Sequence, residues 1–201
     1  MHDKGPRIAA VALAAGMSTR MGSNKLLAEI DGEPLVRRVV RSIEASRARP
    51  IVAVTGHDAG LVRHALANTE TMVVHNPDYR DGLSASLRTG IRAVSECDGA
   101  IVLLCDMPGV SDALIDRMIS AFDPKDGRAI CVAAHNGRRG NPVLFGRQFF
   151  PELETLSGDI GARNVVATHQ QFVCQIEADD DGPLLDIDTP EELERFVRHH
   201  E

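Results

Sequence analysis

The segment Leu13-Ala14-Ala15-Gly16-Met17-Ser18-Thr19-Arg20-Met21-Gly22-Ser23-Asn24-Lys25 follows an apolar run and gathers two glycines and two cations. Backbone N–H groups freed around Gly16 and its small neighbours can cradle phosphate oxygens. Arg20 offers a planar fork and Lys25 a point charge, a pair suited to a triphosphate. The segment lacks the Gly-Lys-Ser/Thr ending of a P-loop and contains no G-x-G-x-x-G fingerprint. A phosphate cradle and a solvated surface turn are both compatible with this spacing.

Two carboxylates stand out further along. Asp106, in Leu103-Leu104-Cys105-Asp106-Met107-Pro108, emerges at the end of an apolar run, where it could hold a Mg²⁺ on a nucleotide or cap the next helix. Asp186 and Asp188, in Leu184-Leu185-Asp186-Ile187-Asp188-Thr189-Pro190, are expected to alternate across a short strand. Only one of them can then join Asp106, and Asp188 lies nearer the following helix, whose dipole its charge would also complement. The run Asp179-Asp180-Asp181 before Gly182-Pro183 reads as a solvated turn.

Gly82, Ser84 and Ser86 follow Asn76-Pro77 and enter an amphipathic stretch. Short hydroxyls there suit a base or a ribose, or serve as helix caps. Arg138-Arg139 lie between Gly137 and Gly140, separating two apolar runs, which fits a hairpin or a loop for a second anion. His57, His64, His135 and His169 have no spacing that suggests a metal cluster or a catalytic triad, and no G-x-S-x-G is present.

These candidates must be positioned by regular elements, and the apolar patterning supplies them. Runs at Ile8–Ala14, Ile51–Thr55, Met72–His75, Ala100–Cys105, Ala129–Ala134, Pro142–Phe145 and Phe172–Ile176 predict seven strands. Several are continuously apolar, as strands buried on both faces of a mainly parallel sheet are. Pro34–Ser46 predicts a helix with Leu35, Val39, Val40 and Ile43 on one stripe. Ser111 can cap a helix that buries Leu114, Ile115, Met118 and Ile119. Thr189-Pro190-Glu191-Glu192 reads as a capping box with proline in the first turn. Alternating strands and helices predict an α/β, three-layer Rossmann-like fold, one domain over residues 1–201, with ligands beyond the C-terminal ends of the strands.

Composition narrows the function classes. The chain has 201 residues, with 22 Lys+Arg against 29 Asp+Glu and a net charge of −7. That sign gives no general attraction for nucleic acid or an anionic membrane. With no Trp, one Tyr and six Phe there is no obvious stacking platform for single strands. Apolar stretches are too short for a membrane span, which needs about 20 residues. The start of the chain combines some positive charge with a short apolar run, which we read as the first strand of a cytoplasmic protein. Cys97, Cys105, Cys131 and Cys174 form no C-x-x-C pair, and for the three in or beside apolar runs buried reduced thiols are expected.

Taken together, these segments resemble the molybdenum cofactor nucleotidyltransferases. Leu13-Ala14-Ala15-Gly16, Ser18, Arg20-Met21-Gly22 and Lys25 are similar to that family's nucleotide-binding signature. Asp106 in Cys105-Asp106-Met107-Pro108 and Asp188 in Asp186-Ile187-Asp188-Thr189-Pro190 resemble its two metal-binding aspartates. Asn76-Pro77, Gly82, Ser86-Leu87, Gly90 and Gly140-Asn141-Pro142 also resemble family patterns, with Asn141 where a His is common.

The resemblance implies a nucleotidyltransferase fold with a mainly parallel sheet of about seven strands. It implies nucleotide binding by Leu13, Ala14, Ala15, Gly16, Ser18, Arg20, Gly22, Lys25, Gly82, Ser84 and Ser86. Asp106 and Asp188 would hold Mg²⁺, and Arg20, Lys25 and Asp106 would carry catalysis. Gly140, Asn141, Pro142, Asp159 and Arg163 would meet the second substrate. The Leu-Ala-Ala-Gly form is typical of the branch that uses CTP, which implies CMP transfer to molybdopterin with release of pyrophosphate. An acceptor molybdoenzyme or its chaperone is implied as a partner. A related enzyme using GTP or another phosphorylated acceptor, and a non-catalytic cofactor-binding chaperone, are the alternatives.

Overall fold

The computed structural model describes residues 5–18, 24–159 and 161–200, with side chains described as far as residue 198. The chain runs β1 (Ile8–Ala14), β2 (Glu29–Ile30), β3 (Glu33–Pro34), α1 (Leu35–Ala45), β4 (Ile51–Thr55), α2 (Ala59–Ala65), β5 (Met72–His75) and α3 (Leu83–Ala93). It continues through β6 (Gly99–Leu104), α4 (Asp112–Ala121), β7 (Ile130–His135), β8 (Arg138–Gly146), α5 (Phe150–Leu153), α6 (Arg163–Thr168), β9 (Val173–Glu177) and α7 (Pro190–His200). Strands β2 and β3 form a two-stranded ribbon. The other seven form one sheet in the order β5-β4-β1-β6-β8-β7-β9.

Every run expected to be a strand lies in that sheet, because each run supplies apolar side chains to two faces at once. In β1, Ile8, Ala10, Ala12 and Ala14 pack into one core while Ala9, Val11 and Leu13 pack into the other. The first core is closed by α1, α4 and α7, the second by α3, α5 and α6. This is the expected three-layer arrangement. The pairs β1–β4, β4–β5, β1–β6 and β7–β9 are parallel, and β8 runs antiparallel to both β6 and β7. The reversal comes from Asn136-Gly137, whose positive φ values of 51° and 75° suit a tight two-residue turn. The Arg138-Arg139 segment thus forms a hairpin.

Local capping follows the sequence at two helices. Ser111 Oγ accepts the Leu114 N–H at 3.2 Å at the start of α4. At α7, Thr189 Oγ1 accepts the Glu192 N–H while Glu192 Oε2 accepts the Thr189 N–H, a complete capping box. Two expectations are corrected. The stretch Leu184–Asp188 is not a strand: Gly182–Leu184 closes a 3₁₀ turn, and the Ile187 N–H donates to the Asp106 carbonyl. The start of α3 is capped by neither Ser84 nor Ser86. Its N-cap is Gly82, and the Leu83 N–H donates to the Asp159 carboxylate at 3.2 Å.

Helix α3 lies so close to the sheet that Gly90 decides its distance. A Cβ there would sit 2.3 Å from Val11 Cγ1 and 3.1 Å from Val54 Cγ2, both on buried strands. Gly90→Ala is therefore expected to destabilise the protein by about 1–3 kcal/mol despite alanine's better helix propensity. Thermal unfolding measures this, at roughly 2–4 °C per kcal/mol for a chain of this size.

The thiols behave as packing groups. Cys97, Cys105 and Cys131 are buried and all four cysteines are free. Burial pushes the Cys105 thiol far above its ordinary range, and burial, with a smaller contribution from Cys174, pushes Cys131 up to about 12. Alkylation of the native protein near pH 8 is expected to leave Cys105 and Cys131 unmodified, and mass spectrometry should find both labelled only after denaturation.

Candidate active site

The central strands β1 and β6 run side by side in parallel, and the chain leaves both at the same edge of the sheet. After β1 it enters Ala15–Ser18, and after β6 it enters Cys105-Asp106. Loops at this edge of an open α/β sheet are where ligands bind.

Lys25 is brought to this edge by short local bonds. Its backbone N–H donates to Ser18 Oγ at 3.1 Å, and Asn24 caps the following 3₁₀ turn through the Leu26 N–H at 3.1 Å. Leu26, 3% exposed, anchors the turn in the core. The Asn24 side chain is itself held by Asp58, to which it donates at 3.3 Å.

Asp188 is brought in from the far end of the chain. The Ile187 N–H donates to the Asp106 carbonyl at 2.9 Å, and Glu192 Oε2 accepts the Asp188 N–H at 2.8 Å. The capping box of α7 therefore fixes the backbone of a site residue as well as starting a helix. Asp186 is exposed, so Asp188 is the member of the pair that reaches Asp106.

Lys25 Nζ donates to Asp106 Oδ2 at 2.7 Å and to Asp188 Oδ1 at 2.6 Å. The three side chains are only 11%, 20% and 28% exposed, respectively. Burial would lower the lysine pKa, but the Asp106 charge and hydrogen bond, followed by those of Asp188, outweigh it. Lys25 is held above the ordinary lysine value and is fully cationic at neutral pH. The expectation that Lys25 meets phosphates and the two aspartates meet a metal thus encounters one compact ion cluster. Two converging carboxylates demand a counter-charge, and Lys25 is within reach.

The donor set suits a hard divalent cation. Asp106 Oδ1 is buried and has no hydrogen-bond partner among the described residues. Such an oxygen is costly to leave unused, and a cation would satisfy it. No third His, Cys, Asp or Glu joins these two carboxylates as a ready-made metal cage among the described residues. Two carboxylates with other ligands supplied by phosphate and water is the usual environment of Mg²⁺.

Two adjoining cavities lie at this edge, the first reaching Lys25 and Asp106 and neither lined by Asp188. The first, about 370 Å³, is lined by Gly16, Ser18, Lys25, Gly82, Ser86 and Asp106, together with Leu13, Ala15, Tyr79 and Arg80. The second, about 440 Å³, has an apolar floor that includes Val102, Val132 and Phe145, and a polar rim of Arg139, Asn141, Asp159, Arg163 and Gln170. They share Leu13, Leu83, Leu104 and Asp159 as a common wall.

Most residues singled out from the sequence converge here. Leu13, Ala15, Gly16, Ser18, Lys25, Gly82 and Ser86 line the first cavity with Asp106, and Gly140, Asn141, Asp159 and Arg163 line the second. Arg20 and Gly22 lie outside the described residues. Ala14 is buried as the last residue of β1, Pro142 is buried in β8, and Ser84 is fully buried with its hydroxyl unpaired among the described residues. Gly82 takes φ +95°, and a Cβ there would meet Asp159 Oδ1 at 2.4 Å. Sequence reasoning missed Tyr79, Arg80 and Gln170. Tyr79, the single tyrosine, stands two residues after Asn76-Pro77, and the Arg80 guanidinium lies 5.6 Å from its ring centre. Ser86 Oγ accepts from Asn76 Nδ2 at 3.0 Å, which ties the buried end of that loop to α3.

Comparison with known proteins identifies the family. The MobA-like NTP transferase domain matches residues 10–172. "Purine catabolism protein PucB" of Bacillus subtilis is 31% identical, with 97% of this chain and 98% of that protein covered. "Nicotine blue oxidoreductase" of Paenarthrobacter nicotinovorans is also 31% identical, with 96% and 97% covered. "Molybdenum cofactor guanylyltransferase" of Vibrio atlanticus is 29% identical over 92% of this chain and 93% of its own. "Molybdenum cofactor cytidylyltransferase" of Escherichia coli is 26% identical over 90% of each. Among solved structures, Rv0371c of Mycobacterium tuberculosis superposes with a TM-score of 0.85 at 29% identity, covering 96% of this chain and 99% of that one. Its complex with manganese superposes with a TM-score of 0.81 at 27% identity, covering 96% and 98%. No helix among the described residues is long and apolar enough to cross a membrane. With the family domain matching from β1 to the start of β9, this chain belongs to the MobA-like NTP transferases and is a nucleotidyltransferase of that family.

Proposed function

We propose that this chain transfers CMP from CTP to the terminal phosphate of a molybdopterin-type substrate and releases pyrophosphate. It acts in the cytoplasm as one nucleotidyltransferase domain spanning residues 1–201. The observation that carries this reading is the pair of adjoining cavities: one is lined by Lys25 and Asp106, with Asp188 joined to them through the Lys25 ammonium, and the other is floored by apolar side chains and rimmed by Arg139, Asn141 and Arg163. A nucleotide in the first and an amphipathic acceptor in the second would meet across the Leu13–Asp159 wall.

In this reading an oxygen of the acceptor phosphate forms a bond to the α-phosphorus of CTP. The bond from that phosphorus to the bridging oxygen breaks, and its electron pair leaves on pyrophosphate. No protein base is needed, because a phosphate monoester is already largely ionised at neutral pH. Both reactants are anions, so the protein's task is to position them and offset their charge. Backbone amides around Gly16, with Arg20 and Lys25, bind the β- and γ-phosphates. Gly82 and Ser86 face the nucleoside, while Gly140, Asn141, Pro142, Asp159 and Arg163 hold the acceptor side. Mg²⁺ held by Asp106 and Asp188 would supply charge neutralisation on the phosphates and on the leaving oxygen. A relative solved with manganese supports a divalent ion of this kind. The product would pass to a molybdoenzyme or its chaperone.

CTP is preferred over GTP here on the Leu13-Ala14-Ala15-Gly16 form. The 29% identity to a protein named guanylyltransferase favours GTP as the second reading. The test is pyrophosphate release with CTP, GTP, ATP and UTP in turn, with Mg²⁺ and a molybdopterin-type acceptor present. CTP is expected to exceed the others by about tenfold or more, equal to about 1.4 kcal/mol of discrimination. Release only with GTP would replace the nucleotide, and release with none would favour a cofactor-binding chaperone.

A further inference from the structure

One ammonium group stands where both carboxylates point. Lys25 Nζ lies 2.7 Å from Asp106 Oδ2 and 2.6 Å from Asp188 Oδ1, so it fills the position a cation bridging them would take. A divalent ion cannot share that position, since the two like charges would be in contact. The backbone at Lys25 is fixed by Ser18 and by the Asn24 cap, yet its stem is long and unbranched. The same side chain lines the first cavity, beside Gly16 and Ser18, so its ammonium can turn from the carboxylates towards a phosphate tail without the turn moving.

From this geometry we infer that Lys25 is an exchangeable internal counter-ion, keeping a bare divalent cation out of the Asp106–Asp188 site until a nucleoside triphosphate arrives. The triphosphate would do two things at once: its negative charge draws the ammonium away, and its oxygens complete a coordination sphere. The described residues supply no third His, Cys, Asp or Glu for that sphere, so the protein alone offers the ion little to gain. Metal and nucleotide therefore bind with strong positive coupling, and by linkage each tightens the other equally. The inference rests on the reading of Asp106 and Asp188 as the cation site, but not on the identity of the base or the acceptor.

The test uses Mn²⁺ as the probe and needs no turnover. Mn²⁺ binding to the full-length protein is measured by electron paramagnetic resonance without nucleotide, for the wild type, Lys25→Gln and Lys25→Met. Both variants are expected to bind Mn²⁺ about tenfold or more tightly than the wild type, and Asp188→Asn in the Lys25→Gln background should remove the gain. Adding CTP should tighten Mn²⁺ binding in the wild type by a larger factor than in Lys25→Gln. Loss of the lysine also leaves two carboxylates facing each other. Mn²⁺ should therefore raise the unfolding temperature of Lys25→Gln while leaving that of the wild type nearly unchanged, which reports on the variant even if it is less stable. Folded variants that bind Mn²⁺ no more tightly than the wild type overturn the inference, as does a gain that survives Asp188→Asn. Pyrophosphate release by the wild type with unaltered Mn²⁺ binding in the variants would remove the exchange alone. A tenfold gain with no pyrophosphate from any nucleotide would remove the transferase reading and leave the exchange standing.

Discussion

Asp106→Ala is expected to lower the rate of pyrophosphate release by about a thousandfold or more while the protein stays folded. The size follows from the several kcal/mol that a cation contributes to a phosphoryl-type transition state, at 1.36 kcal/mol per tenfold. The fold should survive for a structural reason. Asp106 lies after β6 in a loop whose backbone is held by the Cys105 N–H to the Leu13 carbonyl, the Met107 N–H to the Leu104 carbonyl and the Ile187 N–H to the Asp106 carbonyl. None of those bonds uses the carboxylate, and Lys25 keeps Asp188 as its partner. Circular dichroism and a steady-state assay with saturating CTP and Mg²⁺ decide the matter. A variant that retains near-normal rate would remove Asp106 from the cation site.

Lys25→Ala is expected to raise the CTP concentration needed for half-maximal rate by roughly 10- to 100-fold. Hydrogen bonds to charged groups contribute about 1.5–3 kcal/mol, and the phosphate contacts proposed for this lysine are of that kind. The variant should also be less stable, because it leaves Asp106 and Asp188 close together without their shared counter-charge. Nucleotide binding and cation binding should therefore move in opposite directions: weaker for CTP, tighter for Mn²⁺ alone. An unchanged dependence on CTP would place Lys25 outside the nucleotide site.

The contrast between what the sequence disclosed and what it hid has a physical pattern. Strands such as Ile8–Ala14 and Ile51–Thr55 were legible because burial on both faces of a central strand forces an unbroken apolar run. The α4 cap at Ser111 and the α7 capping box were legible because their donors and acceptors sit within three residues of each other. Leu184–Asp188 was misread because its alternation mimics a strand while Gly182–Leu184 forms a 3₁₀ turn instead. The α3 cap could not be read, since its acceptor, Asp159, lies 76 residues downstream of Leu83. As candidates, Gly16, Lys25, Asp106 and Asp188 were legible from their types and order. Their arrangement was not, because Lys25 meets Asp106 and Asp188 across separations of 81 and 163 residues. Arg139 was visible as a cation between glycines, whereas its place on the rim of the second cavity depends on the β7–β8 hairpin facing α6.

This edge of the sheet is expected to bind a cytidine triphosphate together with a divalent cation. Calorimetric titration of the full-length protein with CTP, GTP, ATP and UTP, each with and without Mg²⁺, addresses it most directly. Saturable CTP binding is expected, tighter than for the other three and lost or strongly weakened when Mg²⁺ is removed. Equal binding of all four nucleotides, or binding indifferent to Mg²⁺, would contradict it.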